Sequence, residues 1–301
     1  MLPYIKLPNK SLRVNGQEIF SFLNTSDKNI DWTTVESFGE EWSKFNFFDD
    51  QEISQIGNDY FDIVDEVMLN HNSYVLDVGC GTGRWTKYVS GRAGFVEAID
   101  PSQAVASAAN LLKNEKNVRI TQASVETIPF ADNAFDFVFS LGVLHHIPDT
   151  FEAMQSCVKK VKIGGFFLVY LYYSLDNRGF LYKLLFQISN LFRVLISKLP
   201  QKLKAFVCDL IAFFIYLPFV LISRIVENIA FLKKFIEYIP LSYYRKVSFN
   251  VIRNDALDRM GTPLEQRFSK KEINDMLIRA GLTDIQFSHN APYWHAVGKK
   301  N

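Results

Sequence analysis

Between residues 74 and 173 short apolar runs take turns with helical stretches, and this alternation restricts the fold more than any other property of the chain. YVLDVG, FVEAID, VRITQA, FDFVFSLG and GGFFLVYLYY read as strands, and the segments after Gly83, Ser102 and Pro148 read as helices. Strands alternating with helices in this way build right-handed βαβ units and a parallel, doubly wound α/β sheet. Two further runs, near 283–288 and 293–298, follow a helix over 270–280 that Gly281 ends. Only a short turn at 290–292 separates them, which predicts an antiparallel close to the sheet.

The densest motif is VLDVGCGTGRW, residues 75–85, where an apolar strand runs into Gly79, Gly81 and Gly83 as the chain turns into a helix. Glycine lets the backbone bend sharply and lets a ligand approach the main chain. A dinucleotide fingerprint needs G-x-G-x-x-G, but here Arg84 holds the sixth position. Asp77, two residues before the first glycine, would repel a pyrophosphate and suits a cationic ligand. Asp100 ends the next strand, where a carboxylate accepts hydrogen bonds from both ribose hydroxyls of a nucleoside.

VLDVGCGTG, AIDPS, SVETIPFADNAFDFVFSLGVLHHIPD and KIGGFFLV, in that order, resemble the motifs of class I S-adenosylmethionine-dependent methyltransferases of the small-molecule type. A weaker echo lies in RFSKKEINDMLIRAGLTDI. The resemblance implies a Rossmann-like, mostly parallel seven-stranded sheet with helices on both faces, and S-adenosylmethionine as cofactor. It implies that Gly79 and Gly81 meet the methionyl part, that Asp77 faces the ammonium and that Asp100 takes the ribose. Gly83 belongs to the same loop, with helix-to-strand packing as its alternative role. Ser124 and Val125 would border the adenine, and Leu141 would lie beneath the methionyl chain. The family often has an aspartate where this chain has Ser124, a weaker acceptor for the adenine amino group.

Methyl transfer from a sulfonium is an in-line displacement in which positioning and desolvation supply most of the acceleration. An oxygen acceptor benefits from a base, and His145 and His146 in LHHIPD stand at the carboxyl end of the fourth strand, where open α/β sheets bind ligands. Tyr170, Tyr172 and Tyr173 end the fifth strand on the same rim as candidates for an acceptor pocket. No Cys, Asp or Glu at ligand spacing accompanies the histidines, so no metal site is expected. Phe38, Trp42, Phe45 and Phe48 recur at helical spacing, although Gly39 weakens the pattern; Trp42 and Phe45 are candidates to cover the cofactor.

Four segments result: 1–70, an irregular arm over the first 30 residues and a helical lead-in; 71–173, the cofactor-binding core; 174–262, a helical insertion; and 263–301, which completes the core. The insertion carries eleven lysines or arginines and four acids over 174–250, in a chain of net charge +1. On its first helix Lys183, Gln187, Asn190, Arg193 and Ser197 form a narrow polar stripe, as on a helix lying at a membrane interface. LIAFFIYLPFVLI, 210–222, follows; Asp209 and the helix-interrupting Pro218 argue against a full membrane span. A membrane-surface patch over 180–223, a lid for a lipid-like substrate, and a buried cap or homodimer interface remain as readings.

Three scattered cysteines argue for a reducing compartment, and MLPYIKLPNK lacks the apolar core of a signal peptide, so a cytoplasmic, optionally peripheral, location is expected. The expected activity is methyl transfer to a small or lipid-linked acceptor, with oxygen as the expected acceptor atom. A nucleic-acid methyltransferase is one alternative; it gains from the basic insertion but lacks an N-P-P-Y-like tetrapeptide for a flipped base. The other is a non-catalytic scaffold that retains the cofactor pocket.

Overall fold

The computed structural model describes residues 1–14, 16–24, 26–44 and 49–301, without the side chains at 40–44, 181 and 237. By contacts the chain divides into two compact units, Met1–Asn177 with Leu264–Asn301, and Arg178–Pro263.

The first unit opens with a correction. Residues 10–21 are not an irregular arm but an antiparallel hairpin, β1 (Lys10–Val14) and β2 (Gln17–Ser21). Few of its side chains are buried, so its alternation is faint in sequence; Ile19 and Ser21 point inward and Phe22 follows them into the core. Tyr4 locks the hairpin down: its ring lies 4.7 Å from Phe22 and 5.5 Å from Phe130, and its hydroxyl is 2.8 Å from Thr121 Oγ1. Helices α1 (Trp32–Lys44) and α2 (Asp50–Tyr60) follow. α1 runs through Gly39, where a Cβ would stand 3.3 Å from the Gln103 backbone nitrogen.

The core alternates as the sequence predicts: β3 (Tyr74–Val78), α3 (Arg84–Ser90), β4 (Phe95–Asp100), α4 (Val105–Leu111), β5 (Val118–Gln122), β6 (Phe135–Leu141), α5 (Thr150–Lys160) and β7 (Val161–Tyr170). In the second unit come α6 (Phe180–Ser197), α7 (Gln201–Ile211), a π turn (Ala212–Tyr216), α8 (Leu217–Glu227) and α9 (Phe249–Gly261). The first unit resumes with α10 (Lys270–Arg279), β8 (Leu282–Phe287) and β9 (His295–Lys300).

The nine strands form one sheet in the order β1-β2-β5-β4-β3-β6-β7-β9-β8. The expected seven-stranded sheet is therefore extended by the hairpin, whose β2 runs parallel to β5 through Phe20↔Thr121 and Ser21↔Gln122. From β5 to β7 all pairs are parallel, and β9 enters antiparallel between β7 and β8. Alternation along β3 divides the two faces. Leu76 and Val78 join Met154, Cys157 and Leu277 of α5 and α10 in the core, whereas Asp77 faces Thr86 of α3.

The second unit corrects two readings of the insertion. Pro218 does not break the apolar helix, which continues from Gln201 to Glu227. A proline clashes with the carbonyl four residues before it, and the wider π turn at 212–216 provides room without ending the helix. Asp209 is paired, its two oxygens meeting Arg253 of α9 at 2.8 and 2.7 Å.

Candidate active site

Because β3 to β7 are parallel, Asp77, Asp100, Ser124, Leu141 and Tyr170 share one edge of the sheet at or just past the strand ends. The loop after β3 takes left-handed backbone at all three glycines, with φ of +83° at Gly79, +53° at Gly81 and +85° at Gly83. A Cβ on Gly79 would stand 2.5 Å from the Val143 methyls, and one on Gly83 would stand 2.7 Å from Leu112 Cδ1. The first contact ties the loop to the turn after β6; the second is helix packing between α3 and α4. Gly79 N and Cys80 N both donate to the Ile99 carbonyl, which pins the bend to β4.

Two buried carboxylates flank this bend. Asp100 Oδ2 accepts from Gly81 N at 2.9 Å, while Oδ1 accepts from Ser102 N at 2.8 Å and Ser102 Oγ at 2.6 Å. Asp77 accepts from Thr86 Oγ1 at 2.6 Å. Burial pushes the Asp77 carboxyl up to about 8; the Thr86 hydrogen bond opposes this and the charge of Asp100 adds to it. Burial also raises Asp100, against its bonds from Ser102 and Gly81. A pair of desolvated acids beside a glycine bend fits a ligand bearing positive charge and a vicinal diol. It is hostile to a pyrophosphate. Cys80 is buried beside both acids, which raise its thiol further after burial itself, so it is no nucleophile.

Ser124 is buried, and its hydroxyl donates to Asp27 Oδ2 at 2.7 Å and lies 2.9 Å from Thr127 Oγ1. The segment carrying Asp27 is held by Glu126, whose Oε2 accepts from Lys28 N and Asn29 N at 2.8 and 2.9 Å, and by reciprocal bonds between Asn29 and Asp149. Sequence reasoning missed Asp27, because 97 positions separate it from Ser124. Val125 and Leu141 are buried nearby in the chain.

Both histidines are buried. The His145 ring stacks on Tyr172 at 3.9 Å and 29° and lies 4.0 Å from His146. His146 stands edge-on to Phe38 of α1 at 5.0 Å, and its Nδ1 lies 2.6 Å from the Leu264 carbonyl. A carbonyl only accepts, so Nδ1 carries the proton and Nε2 of the neutral ring is a free acceptor. That nitrogen is buried with no hydrogen-bond partner among the described residues. Tyr170 is buried edge-on to Tyr60 at 5.2 Å, whereas Tyr173 is half-buried and 5.7 Å from Tyr293. The Tyr170 and Tyr172 rings are 6.0 Å apart. The Trp42 side chain and all of Phe45 lie outside the described residues.

One pair escaped the sequence altogether. His295, at the start of β9 opposite Tyr170, brings Nε2 within 2.6 Å of Asp62 Oδ1, while its Nδ1 lies 2.8 Å from the Pro292 carbonyl. Asp62 also accepts from Ser288 Oγ at 2.7 Å and Asn290 Nδ2 at 2.9 Å. Partial burial raises the Asp62 carboxyl, but these donors outweigh it and hold the group below its ordinary value.

The family model described as a methyltransferase domain matches residues 76–169. Residues 76–169 are a class I S-adenosylmethionine-dependent methyltransferase domain. Over 94 residues the chain is 38% identical to the ubiquinone biosynthesis O-methyltransferase of Alkalilimnicola ehrlichii, covering 30% of this chain and 38% of that protein. The enzyme of the same name from Pseudomonas putida is 30% identical over 119 residues, or 38% of this chain and 50% of its own. The chain thus spans no more than half the length of these relatives. Among solved structures, the YcgJ protein from Bacillus subtilis aligns over 72% of this chain and 64% of its own, with TM-score 0.44 and 18% identity. The methyltransferase domain holds the glycine bend, both buried acids, Ser124 and the two histidines, whereas Asp27, Asp62 and His295 reach it from outside.

Proposed function

We propose that the chain transfers a methyl group from S-adenosylmethionine to a hydroxyl oxygen of a small or lipid-linked acceptor. The observation that carries this reading is the pair of buried carboxylates, Asp77 and Asp100, on either side of the left-handed glycine bend. Bound there, S-adenosylmethionine would supply an electrophilic methyl on a sulfonium. Asp100 would exchange its bonds to Gly81 and Ser102 for the ribose hydroxyls, and Asp77 would offset the ammonium charge. Gly79 and Gly81 leave the methionyl chain room against the backbone, with Val125 and Leu141 as apolar borders and Ser124 toward the adenine. Gly83 serves the loop through packing.

Oxygen as acceptor is supported by the printed names of the two O-methyltransferase relatives and by the state of His146. With Nδ1–H on the Leu264 carbonyl, the lone pair on Nε2 is positioned to take a hydroxyl proton. His145 holds the His146 ring by stacking between it and Tyr172, and so positions rather than reacts. The lipid-linked acceptor, and contact of 180–223 with a membrane surface, are the finer part of the reading; the exposed apolar side chains of the second unit support them.

The test is a panel of hydroxylated acceptors, free and lipid-linked, scored for S-adenosylhomocysteine. Turnover with a hydroxyl acceptor, reduced roughly 10²- to 10⁴-fold in kcat by His146→Gln, is the expected result. Stoichiometric cofactor binding without S-adenosylhomocysteine across the panel would instead favour a non-catalytic scaffold.

A further inference from the structure

The second unit leaves many large apolar side chains exposed on its helices while it buries several polar ones. On α6 the C-terminal part of the polar stripe turns inward, although Gln187 stays exposed: Arg193 is 9% exposed, donating to the Thr262 carbonyl at 2.9 Å and to Asn190 Oδ1 at 2.8 Å. Ser197 is buried beside it in the helix, while Phe180, Leu191 and Leu195 are exposed, Leu191 by 65%. The helix from Gln201 to Glu227 repeats the pattern: Lys204 and Ser223 are buried, yet Phe206, Phe213, Phe214, Leu221 and Ile222 are exposed, Phe214 by 67%. Between 203 and 222 every exposed residue is apolar. Both α6 and α7 pack their polar sides on α9, which brings Arg253 and Asn254 to that covered side.

Water selects the opposite arrangement, since exposing apolar area costs about 25 cal/mol per Å². A second protein copy fits poorly too. Protein interfaces carry roughly one hydrogen bond per 100–200 Å² and a polar rim, and between 203 and 222 the exposed residues are apolar, with the partly exposed Asp209 already paired with Arg253. A self-complementary dimer would also bring like charges together. Exposed Lys198 and Lys202 flank one end of the long helix and Lys233 and Lys234 follow the other. The acids between 180 and 234, Asp209 and Glu227, are both bonded to arginines, Arg253 and Arg245. Hydrocarbon needs no hydrogen bonds, and the phosphates of an anionic leaflet complement exposed lysines.

We infer that α6 and the 201–227 helix lie flat in one leaflet of an anionic bilayer, with Leu191, Phe206, Phe214 and Ile222 among the acyl chains and Lys198, Lys202, Lys233 and Lys234 at the headgroups. The helices lie flat instead of crossing because each turns polar groups away from its exposed apolar side chains, burying Arg193, Lys204 and Ser223; a spanning helix is apolar all round. The inference rests on the membrane contact proposed above for 180–223 and not on methyl transfer, because neither cofactor nor acceptor enters it.

The test uses the full chain, without cofactor, and vesicles of phosphatidylcholine alone or with phosphatidylglycerol. Co-sedimentation is expected with the anionic vesicles, weakened about five-fold by each of Lys198→Ala and Lys202→Ala. Leu191→Ser with Phe214→Ser and Ile222→Ser should abolish it while leaving the thermal transition in place, since those side chains are exposed. In a Phe214→Trp variant, lipids brominated near the headgroup should quench fluorescence more than lipids brominated deep in the chain. Stronger quenching by deep bromines would overturn the flat arrangement in favour of a span. Absence of vesicle binding, with a dimer in lipid-free sedimentation that the triple serine variant dissociates, would overturn the membrane assignment.

Discussion

The Ser124 hydroxyl donates to the Asp27 carboxylate at 2.7 Å, joining the N-terminal segment to the loop after β5. With its proton committed to Asp27, Ser124 Oγ presents lone pairs, the polarity that an adenine amino group requires. Asp27→Ala frees that proton. It is expected to cost about 0.5–1.5 kcal/mol of stability and to weaken S-adenosylmethionine by roughly two- to ten-fold. Ser124→Ala should cost a similar amount, and the double variant less than the sum. Denaturant melts and calorimetry on the four proteins check this.

Asp77 is held protonated by burial up to about 8, above its unfolded value. The sign follows: its contribution to stability is complete below the ordinary carboxylate range and is lost as pH rises toward about 8. A cationic ligand prefers the ionised form. Cofactor binding should therefore release protons near pH 7, visible as a dependence of calorimetric heat on buffer ionisation enthalpy. Asp77→Asn should raise Tm at pH 8 by roughly 2–4 °C, for about 1 kcal/mol of relieved desolvation, yet weaken the cofactor by about ten- to a hundred-fold.

Gly79 combines φ of +83° with a Cβ position 2.5 Å from the Val143 methyls. Gly79→Ala thus meets two penalties, about 1–2 kcal/mol for left-handed backbone and the clash. Val143→Ala in the same chain removes the clash alone. Partial recovery of the melting temperature, without recovery of cofactor affinity, is the expected result.

The Asp62 carboxyl is held below its ordinary value by donors from Ser288, Asn290 and His295 that outweigh its burial. Its contribution to stability is present above the ordinary carboxylate range and is lost as pH falls through the depressed native value. Asp62→Asn should flatten the acid limb of Tm against pH while leaving the limb above pH 8 unchanged.

The parts of this fold that the sequence disclosed are local. The glycine bend, Asp77, Asp100 and the order of core strands lie within contiguous motifs whose periodicity and backbone demands are visible one segment at a time. The β1–β2 hairpin escaped because only Ile19 and Ser21 are fully buried in it, so its alternation is faint until β5 is placed beside it. Asp27 with Ser124, and Asp62 with His295, are pairs 97 and 233 positions apart that no spacing rule connects. Helix periodicity showed that α6 has a polar stripe and an apolar face, but not which of them points outward; Arg193 and its bond to the Thr262 carbonyl settle that.

The central claim is methyl transfer from S-adenosylmethionine to oxygen, and labelled cofactor tests it most directly. Purified chain is incubated with methyl-labelled S-adenosylmethionine and host extract split into lipid and aqueous phases. The account predicts label as a methyl ether, in the lipid phase for a lipid-linked acceptor or in the aqueous phase for a small one, and strongly reduced in His146→Gln. Label confined to nucleic acid, or no label in either phase while the cofactor binds, would contradict it.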